Sequence, residues 1–322
     1  MAVQPKTLVP GVTPAVDAAS DLAFRKGFTT NSWFAIGHFE TEEGETLDFL
    51  HHLILTVLPD STEISYSALT LTNSTTGQHI AQEDLFPAAM STVETDRFAV
   101  AMPTGSMSGD LDRIRVSATV DGATLDITLA QREGVIFNGG TGRFPLLGMD
   151  VRQYSLPRME ASGTITIGER VYNVTGGEGW FDRQWQNQPA LLQGRWTWID
   201  LNLSSGDRIS LWDVVDAGGV ENAWATILQP DGTQLVVPVE PTSVGASDVW
   251  LSPLSGQRYP TKLTVRIPSL DAEIEVRATV REQELGNDPR LAHYEAASTM
   301  SGTFRGRPVT GFGFIEHVAD WH

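Results

Sequence analysis

The amino-acid sequence predicts an all-β protein, and three observations carry this prediction. From about Phe34 onward, short apolar or alternating runs follow one another along the chain. Gly, Pro, Asn and Asp separate these runs as turn signals, which leaves little room for helices. At 322 residues and 41% hydrophobic composition, the chain is long enough for two domains with a sizeable core. Many strands at hairpin spacing favour a sandwich or closed barrels, because closure removes exposed sheet edges.

The first half of the chain predicts hairpins that follow a loosely held arm. Over residues 1–20, Pro, Ala, Val and Thr alternate without a period, as is typical of an unstructured terminus. Asp121-Gly122 supplies a tight hairpin turn. A stretch rich in glycine and aromatic residues predicts a long loop over residues 134–148. The predicted strands of this half are Leu47–Leu58, Ile64–Leu71, Ile114–Val120 and Leu125–Leu129.

The second half repeats the hairpin pattern. We place a domain boundary near residues 157–163, so that the two domains cover residues 21–160 and 161–322. Ser205-Gly206 and Asp231-Gly232 supply turns between neighbouring strands. No repeat of identical residues is evident, although two halves of similar length would form a structural repeat. The predicted strands are Ala161–Ile167, Val171–Thr175, Trp196–Leu203, Ile209–Val215, Ala223–Leu228, Leu235–Val239, Lys262–Ile267 and Ile274–Val280.

Charge and composition restrict the partners and the compartment. The formal net charge is −18, and the acidic residues are spread along the chain. Such a field repels phosphates and anionic headgroups, so nucleic acid and membrane surfaces are not expected partners. The absence of cysteine excludes disulfides and thiolate metal ligands. No apolar run is long enough for a signal peptide or for a membrane span of ~20 residues, and we therefore expect a cytoplasmic protein.

The sequence also argues against a metal or a nucleotide cofactor. Adjacent histidines on a strand point to opposite faces, so His51 and His52 cannot both bind one metal with His38, and no third ligand at suitable spacing is evident. Nucleophile elbows, phosphate loops and dinucleotide fingerprints are missing from the sequence. We expect no cofactor and no metal.

The segment most favourable for chemistry is GGEGWFDRQW, residues 176–185. Tryptophan supplies a wall for an apolar substrate, and an Asp182 carboxyl desolvated beside such walls would retain a proton near neutral pH. A carboxyl of this kind can act as an acid catalyst. The competing interpretation makes Asp182 and Arg183 a structural ion pair at a barrel rim, with the tryptophans in the core.

A second carboxyl follows on a later predicted strand. In RWTWIDLNL, the period of two places Asp200 on the same strand face as Trp196 and Trp198. If these tryptophans line a pocket, Asp200 lines it too.

The motif GWFDRQW at residues 179–185 resembles the signature of the carotenoid 1,2-hydratase and AttH-like family, which is also similar to kievitone hydratase and to fungal decalin-forming cyclases. The sequence departs from the usual family pattern at Arg183, Gln184, Gln186 and Phe314. Further resemblances occur in the family order, from Trp33 to Glu316, in segments 32–38, 154–163, 194–201, 294–296, 301–302 and 311–316.

The resemblance implies two lipocalin-like antiparallel β-barrel domains packed together, with an elongated apolar pocket in or between them. It also implies hydration, isomerisation or cyclisation of a terpenoid, polyene or polyketide-like substrate without a cofactor. Asp182 would give and take the proton, and tryptophan faces would stabilise a carbocation. The expected substrate-binding residues are Trp33, His38, Trp180, Arg183, Gln184, Trp185, Trp196, Trp198, Asp200, Tyr294 and Glu295.

Three functions remain open at this point. The first is an acid–base hydratase, dehydratase or isomerase. The second is a pericyclic cyclase of the Diels–Alderase type, in which the pocket folds a polyene and proximity carries the acceleration. The third is a non-catalytic lipocalin-like carrier, since a fold does not determine a function. The sequence also leaves weak homo-oligomerisation open.

Overall fold

The structure, a computed structural model, describes residues 13–187, 194–286, 292–319 and 321. It confirms the all-β prediction, because two curled antiparallel sheets of lipocalin-like architecture account for most of the chain. The helical segments are α1 (Ala18–Asp21) and four short 3-10 turns. Within these described ranges, none of the helices has the length and apolar character needed to cross a membrane.

The first sheet contains thirteen strands, all of them before residue 187. They are β1 (Thr30–Glu40), β2 (Thr46–Val57), β3 (Glu63–Asn73), β4 (Gln78–Pro87), β5 (Thr92–Val93), β6 (Phe98–Met102), β7 (Gly105–Gly109), β8 (Arg113–Val120), β9 (Ala123–Gln131), β10 (Ile136–Phe137), β11 (Arg143–Leu146), β12 (Met149–Ile167) and β13 (Arg170–Gln186).

The second sheet contains ten strands. They are β14 (Gly194–Leu203), β15 (Arg208–Asp216), β16 (Glu221–Leu228), β17 (Gln234–Pro238), β18 (Ser247–Leu251), β19 (Arg258–Ile267), β20 (Ala272–Ala278), β21 (Glu284–Leu285), β22 (His293–Phe304) and β23 (Arg307–Val318). The 3-10 turns of the whole structure are Ala88–Met90, Asn138–Gly140, Thr242–Gly245 and Pro268–Leu270.

The two sheets share one topology. In the first, the order β4-β3-β2-β1 continues through β13 and β12 to β9 and β8. In the second, β17-β16-β15-β14 continues through β23 and β22 to β20 and β19. A meander of four strands is thus joined in each sheet to the last long hairpin of its half. The structural repeat expected from the two halves is therefore present.

Sequence similarity between the halves becomes visible once the last hairpins are aligned. Tyr154 pairs with Arg183 across β12 and β13, as Tyr294 pairs with His317 across β22 and β23. The segment GWFD at residues 179–182 corresponds to GFIE at residues 313–316, because Ser155 faces Asp182 and Glu295 faces Glu316 in the two ladders. Single-residue identities in one linear sequence are too sparse to reveal this repeat.

Three apolar cores hold the molecule together. Residues with odd numbers on β1, such as Trp33 and Ala35, face a core enclosed by the first sheet. A second core, which includes Ile199 and Leu201, is enclosed by the second sheet. The opposite face of β1, which carries Phe34, packs against the second sheet in a third core between the sheets. The functional site lies at this third core.

Three expectations about chain organisation need correction. The boundary expected near residue 160 falls inside β12, and the chain passes to the second sheet only after Gln186, because β12 and β13 form one long hairpin of the first sheet. The loop expected over residues 134–148 contains β10 and β11, both paired with β12. Of the expected arm, residues 1–12 lie outside the described residues, whereas Val16 and Ala18 are buried in the first core.

Candidate active site

A cavity of about 720 Å³ lies between the two sheets. Its walls come from β1, β2, β11, β12 and β13 of the first sheet and from β14, β15 and β23 of the second, and the exposed Pro59 and Ser61 lie at its rim. Polar side chains from both sheets face an otherwise apolar and aromatic lining. The residues that matter for chemistry are Ser32, Phe34, His52, Gln153, Asp182, Gln184, Trp196, Trp198, Trp212 and Glu316.

Strand alternation decides which residues of the signature reach this cavity. On β13, Asp182 and Gln184 line the cavity, and Trp180 belongs to the apolar core beside it. Phe181 and Trp185 point the other way, into the core of the first sheet. One segment therefore supplies both the site and the barrel interior.

Asp182 is a buried carboxyl held by defined donors. Trp180 Nε1 donates to Oδ1 at 2.6 Å, and Gln153 Nε2 donates to Oδ2 at 2.8 Å. Burial raises the pKa of Asp182 to about 7, although hydrogen bonds from Ser155, Trp180 and Gln153 oppose that rise. The carboxyl can therefore exist in both protonation states near neutral pH, as a proton donor and acceptor requires.

Glu316 is a second carboxyl in the same cavity, on β23 of the opposite sheet. Trp196 Nε1 donates to its Oε1 at 2.8 Å. The pKa of Glu316 is raised to about 7, chiefly by burial; the hydrogen bond from Trp196 lowers it and the charge of Asp182 contributes to the rise. Sequence reasoning missed Glu316, although it ends the segment 311–316 that resembles the family. The period of two along β23, counted from the apolar core residue Phe314, was the available signal.

Two further predicted carboxyls lie near the cavity without lining it. Asp200 shares its strand face with Trp198, as the alternation predicts, but accepts bonds from the Phe314 backbone N–H and from Asn202 Nδ2, both at 2.6 Å. Burial raises its pKa to about 8. Glu295 is almost completely buried, and burial together with the charges of Glu316 and Asp200 raises its pKa well above the usual range.

Arg183, Trp33 and Trp185 form a cation–π sandwich inside the first barrel and do not line the cavity. The Arg183 guanidinium carbon lies 4.5 Å from the Trp33 ring centroid and 4.9 Å from that of Trp185. Its N–H groups donate to the carbonyls of Asp21 and Ala23, both at 2.9 Å. Arg183 thus fastens the segment that precedes β1, and the ion pair with Asp182 considered above is not formed because the two side chains point to opposite faces.

His38 and Tyr294 also lie away from the cavity. The His38 ring stacks on Phe312 with centroids 4.2 Å apart, and its Nδ1 bonds Asp48 at 2.6 Å. Tyr294 belongs to the core of the second sheet, where its ring stacks on Tyr259 at 5.1 Å. Both residues therefore support the walls of the fold rather than the cavity lining.

The cavity contains groups that sequence reasoning did not select. Ser32 Oγ and His52 Nε2 lie 2.7 Å apart, and burial lowers the pKa of His52 to about 3, so its ring is neutral. Trp212 Nε1 and Gln153 Oε1 are buried without a hydrogen-bond partner among the described residues. Neither Trp212 nor Gln153 lies in a distinctive motif, and only the fold brings them to the site.

Comparison with curated proteins gives two relatives of similar kind. The dehydratase asqC of Emericella nidulans is 27% identical over 226 residues, which cover 66% of this chain and 63% of that protein. Kievitone hydratase of Fusarium solani subsp. phaseoli is 25% identical over 232 residues, which cover 67% of this chain and 63% of that protein. The matches thus span less than two thirds of the length of either relative.

Solved structures and a family model extend the likeness to nearly the whole chain. A putative AttH from Nitrosomonas europaea superposes with a TM-score of 0.81 at 19% identity and covers 97% of this chain and 98% of its own. Kievitone hydratase from Nectria haematococca gives a TM-score of 0.83 at 23% identity, with 98% and 96% covered. These likenesses concern the fold. The family model described as AttH-like matches residues 10–318. The chain belongs to the AttH-like family.

Proposed function

We propose that the protein is an enzyme that adds water to, or removes water from, an apolar unsaturated substrate bound between the two sheets. The observation that carries this proposal is a buried carboxyl, Asp182, with a pKa near 7 in a cavity walled by Trp198, Trp212 and Phe34. The names of the two curated relatives, a dehydratase and a hydratase, support the reaction class.

The chemistry follows from the surroundings of Asp182. In hydration, the protonated carboxyl gives its proton to one alkene carbon, and the π bond supplies the electrons of the new C–H bond. The other carbon becomes cationic and is captured by water, which then loses a proton. The faces of Trp198 and Trp212 stabilise the cation through their ring quadrupoles. Dehydration is the reverse sequence.

The apolar lining favours an isoprenoid, polyene or polyketide-like substrate. The cavity volume of about 720 Å³ is within the range of cavities that enclose a small organic ligand. Such a site holds a largely hydrocarbon molecule and orients it by few polar contacts.

The test uses kievitone as the first probe, followed by a panel of prenylated phenols, in isotopically labelled water. We expect a product heavier by one labelled water, and we expect the Asp182→Asn variant to lose at least about 100-fold in turnover. Asp200→Asn is the matched control, because Asp200 is an equally buried carboxyl outside the cavity. An isomeric product formed equally by wild type and Asp182→Asn would favour the pericyclic cyclase, and bound ligand that remains unchanged would favour the carrier.

A further inference from the structure

The internal repeat places two carboxyls at corresponding positions of the two sheets. Asp182 on β13 pairs with Phe34 on β1, and Glu316 on β23 pairs with Trp198 on β14. In the shared topology, β13 corresponds to β23 and β1 corresponds to β14. The rings of Phe34 and Trp198 meet edge to face with centroids 5.7 Å apart. The two halves therefore meet at this aromatic contact, and each contributes one acid beside it.

The surroundings of the two carboxyls are also matched. Each accepts a hydrogen bond from the indole N–H of a tryptophan, Trp180 for Asp182 and Trp196 for Glu316. Both line the same cavity between the sheets. A difference remains in the second oxygen, because Gln153 donates to Asp182 whereas the described residues give Glu316 a hydrogen bond only at Oε1. Glu316 thus retains an oxygen for a ligand or a water molecule.

We propose that Glu316 is a second catalytic carboxyl, which takes the proton from the attacking water while Asp182 protonates the alkene. This inference rests on the proposed function. The Asp182 proton forms the new C–H bond, the water oxygen forms the C–O bond, and the proton lost by that water passes to Glu316. Transfer of one proton from Glu316 back to Asp182 through solvent restores the pair, so one alkene and one water give one alcohol.

The pair works in its singly protonated form, because two buried like charges facing one cavity disfavour double ionisation. The other charged groups nearby do not neutralise it. Asp200 on β14 and Glu295 on β22 are further buried carboxyls: burial and the charge of Asp182 raise the pKa of Asp200, and burial and the charges of Glu316 and Asp200 raise that of Glu295. Tyr66 on β3 lies within the field of Glu295 and Glu316, and His52 on β2, which lines the cavity, is neutral because burial lowers its pKa to about 3. Near neutral pH, one acid and one base are therefore available on opposite walls.

Infrared titration tests the pairing without any substrate. The carboxyl band lost in Glu316→Gln identifies Glu316, and its titration midpoint is then followed in the Asp182→Asn variant. We expect that midpoint to fall, because Asp182→Asn removes a like charge. Asp213→Asn is the control, since Asp213 is buried on the second sheet under bonds from Thr242 and does not line the cavity. A midpoint unchanged by Asp182→Asn, or moved equally by Asp213→Asn, would overturn the pairing.

Turnover of the kievitone probe separates the two proposals. We expect Glu316→Gln to lower kcat at least about 100-fold and to remove one limb of the pH–rate profile. If Asp182→Asn abolishes turnover while Glu316→Gln keeps the wild-type rate and profile, the role of Glu316 is refuted and the proposed function stands. If Asp182→Asn keeps the wild-type rate, the proposed function fails. With a probe that is not turned over, the infrared midpoint alone decides the pairing.

Discussion

Replacing Asp182 by asparagine should make the folded protein more stable above neutral pH. Raising the pKa of Asp182 from 3.8 to about 7 on folding corresponds to about 4 kcal/mol, at about 1.4 kcal/mol for each pKa unit. The folded state holds the proton more tightly than the unfolded chain. The free-energy penalty for ionising the buried carboxyl is therefore absent below pH 3.8, grows as the pH rises, and is complete above about pH 7.

The local structure should accept the substitution. Trp180 Nε1 can still donate to the amide oxygen, and Gln153 can turn its unpaired Oε1 toward the new N–H group. Urea unfolding of wild type and Asp182→Asn at several pH values between 4 and 8 gives the free energy of unfolding of each. We expect the free energy of unfolding of the variant to rise, relative to that of the wild type, by up to about 1.4 kcal/mol per pH unit and to reach a plateau above pH 7.

A stability difference that does not change with pH would refute this reasoning, as would a variant less stable than the wild type at pH 8. A variant less stable at pH 8 would mean that the hydrogen bonds lost with the carboxylate outweigh the penalty of burying its charge. A difference independent of pH would mean that Asp182 stays ionised in the folded protein throughout this range. The acid role proposed for Asp182 would then lose its physical basis. Asp200→Asn serves as a comparison, since burial raises the pKa of Asp200 to about 8 and its penalty should be complete only at a higher pH.

Three further predictions, which use four substitutions, test the framework of the site by urea unfolding. Arg183→Met should lower the free energy of unfolding by about 3 kcal/mol, because it strands buried carbonyls that the guanidinium now satisfies; equal stability would refute the fastening role. Gly313→Ala should lower the free energy of unfolding by about 3 kcal/mol, because its new Cβ would lie 1.9 Å from the Asp200 carbonyl oxygen; unchanged stability would contradict that close approach. Trp212→Phe should lower the free energy of unfolding less than Trp180→Phe, because of these two indoles only that of Trp180 donates a hydrogen bond to a described residue; the reverse order would contradict this.

Much of the fold could be predicted because its determinants are local. Alternating runs and turn residues predict strands such as Ile114–Val120, and the observed β8 covers Arg113–Val120. The same alternation correctly placed Asp200 with Trp198 on the face toward the third core. The alternation also places Asp182 and Arg183 on opposite faces of the strand. Treating the whole motif as one site predicts instead that Arg183 and Trp185 line the pocket, which they do not reach.

What could not be predicted depends on contacts between distant parts of the chain. The long hairpin of β12 and β13 runs through the predicted domain boundary, with a register shift between Leu156 and Met159, and only the pairing of the two strands reveals it. Asp182 and Glu316 line one cavity from different sheets, and no local sequence period encodes such an arrangement. The third core likewise exists only once both sheets have formed.

The cavity lies between the apolar cores of the two sheets, and this position affects how such a protein can change. The apolar interiors of the two sheets hold the fold, and the cavity lining belongs to a separate layer. Residues such as Trp212 and Met149 can therefore be exchanged to admit a different molecule without opening a void in either barrel. The two acids, anchored on long central hairpins, would keep their places while the shape around them varies.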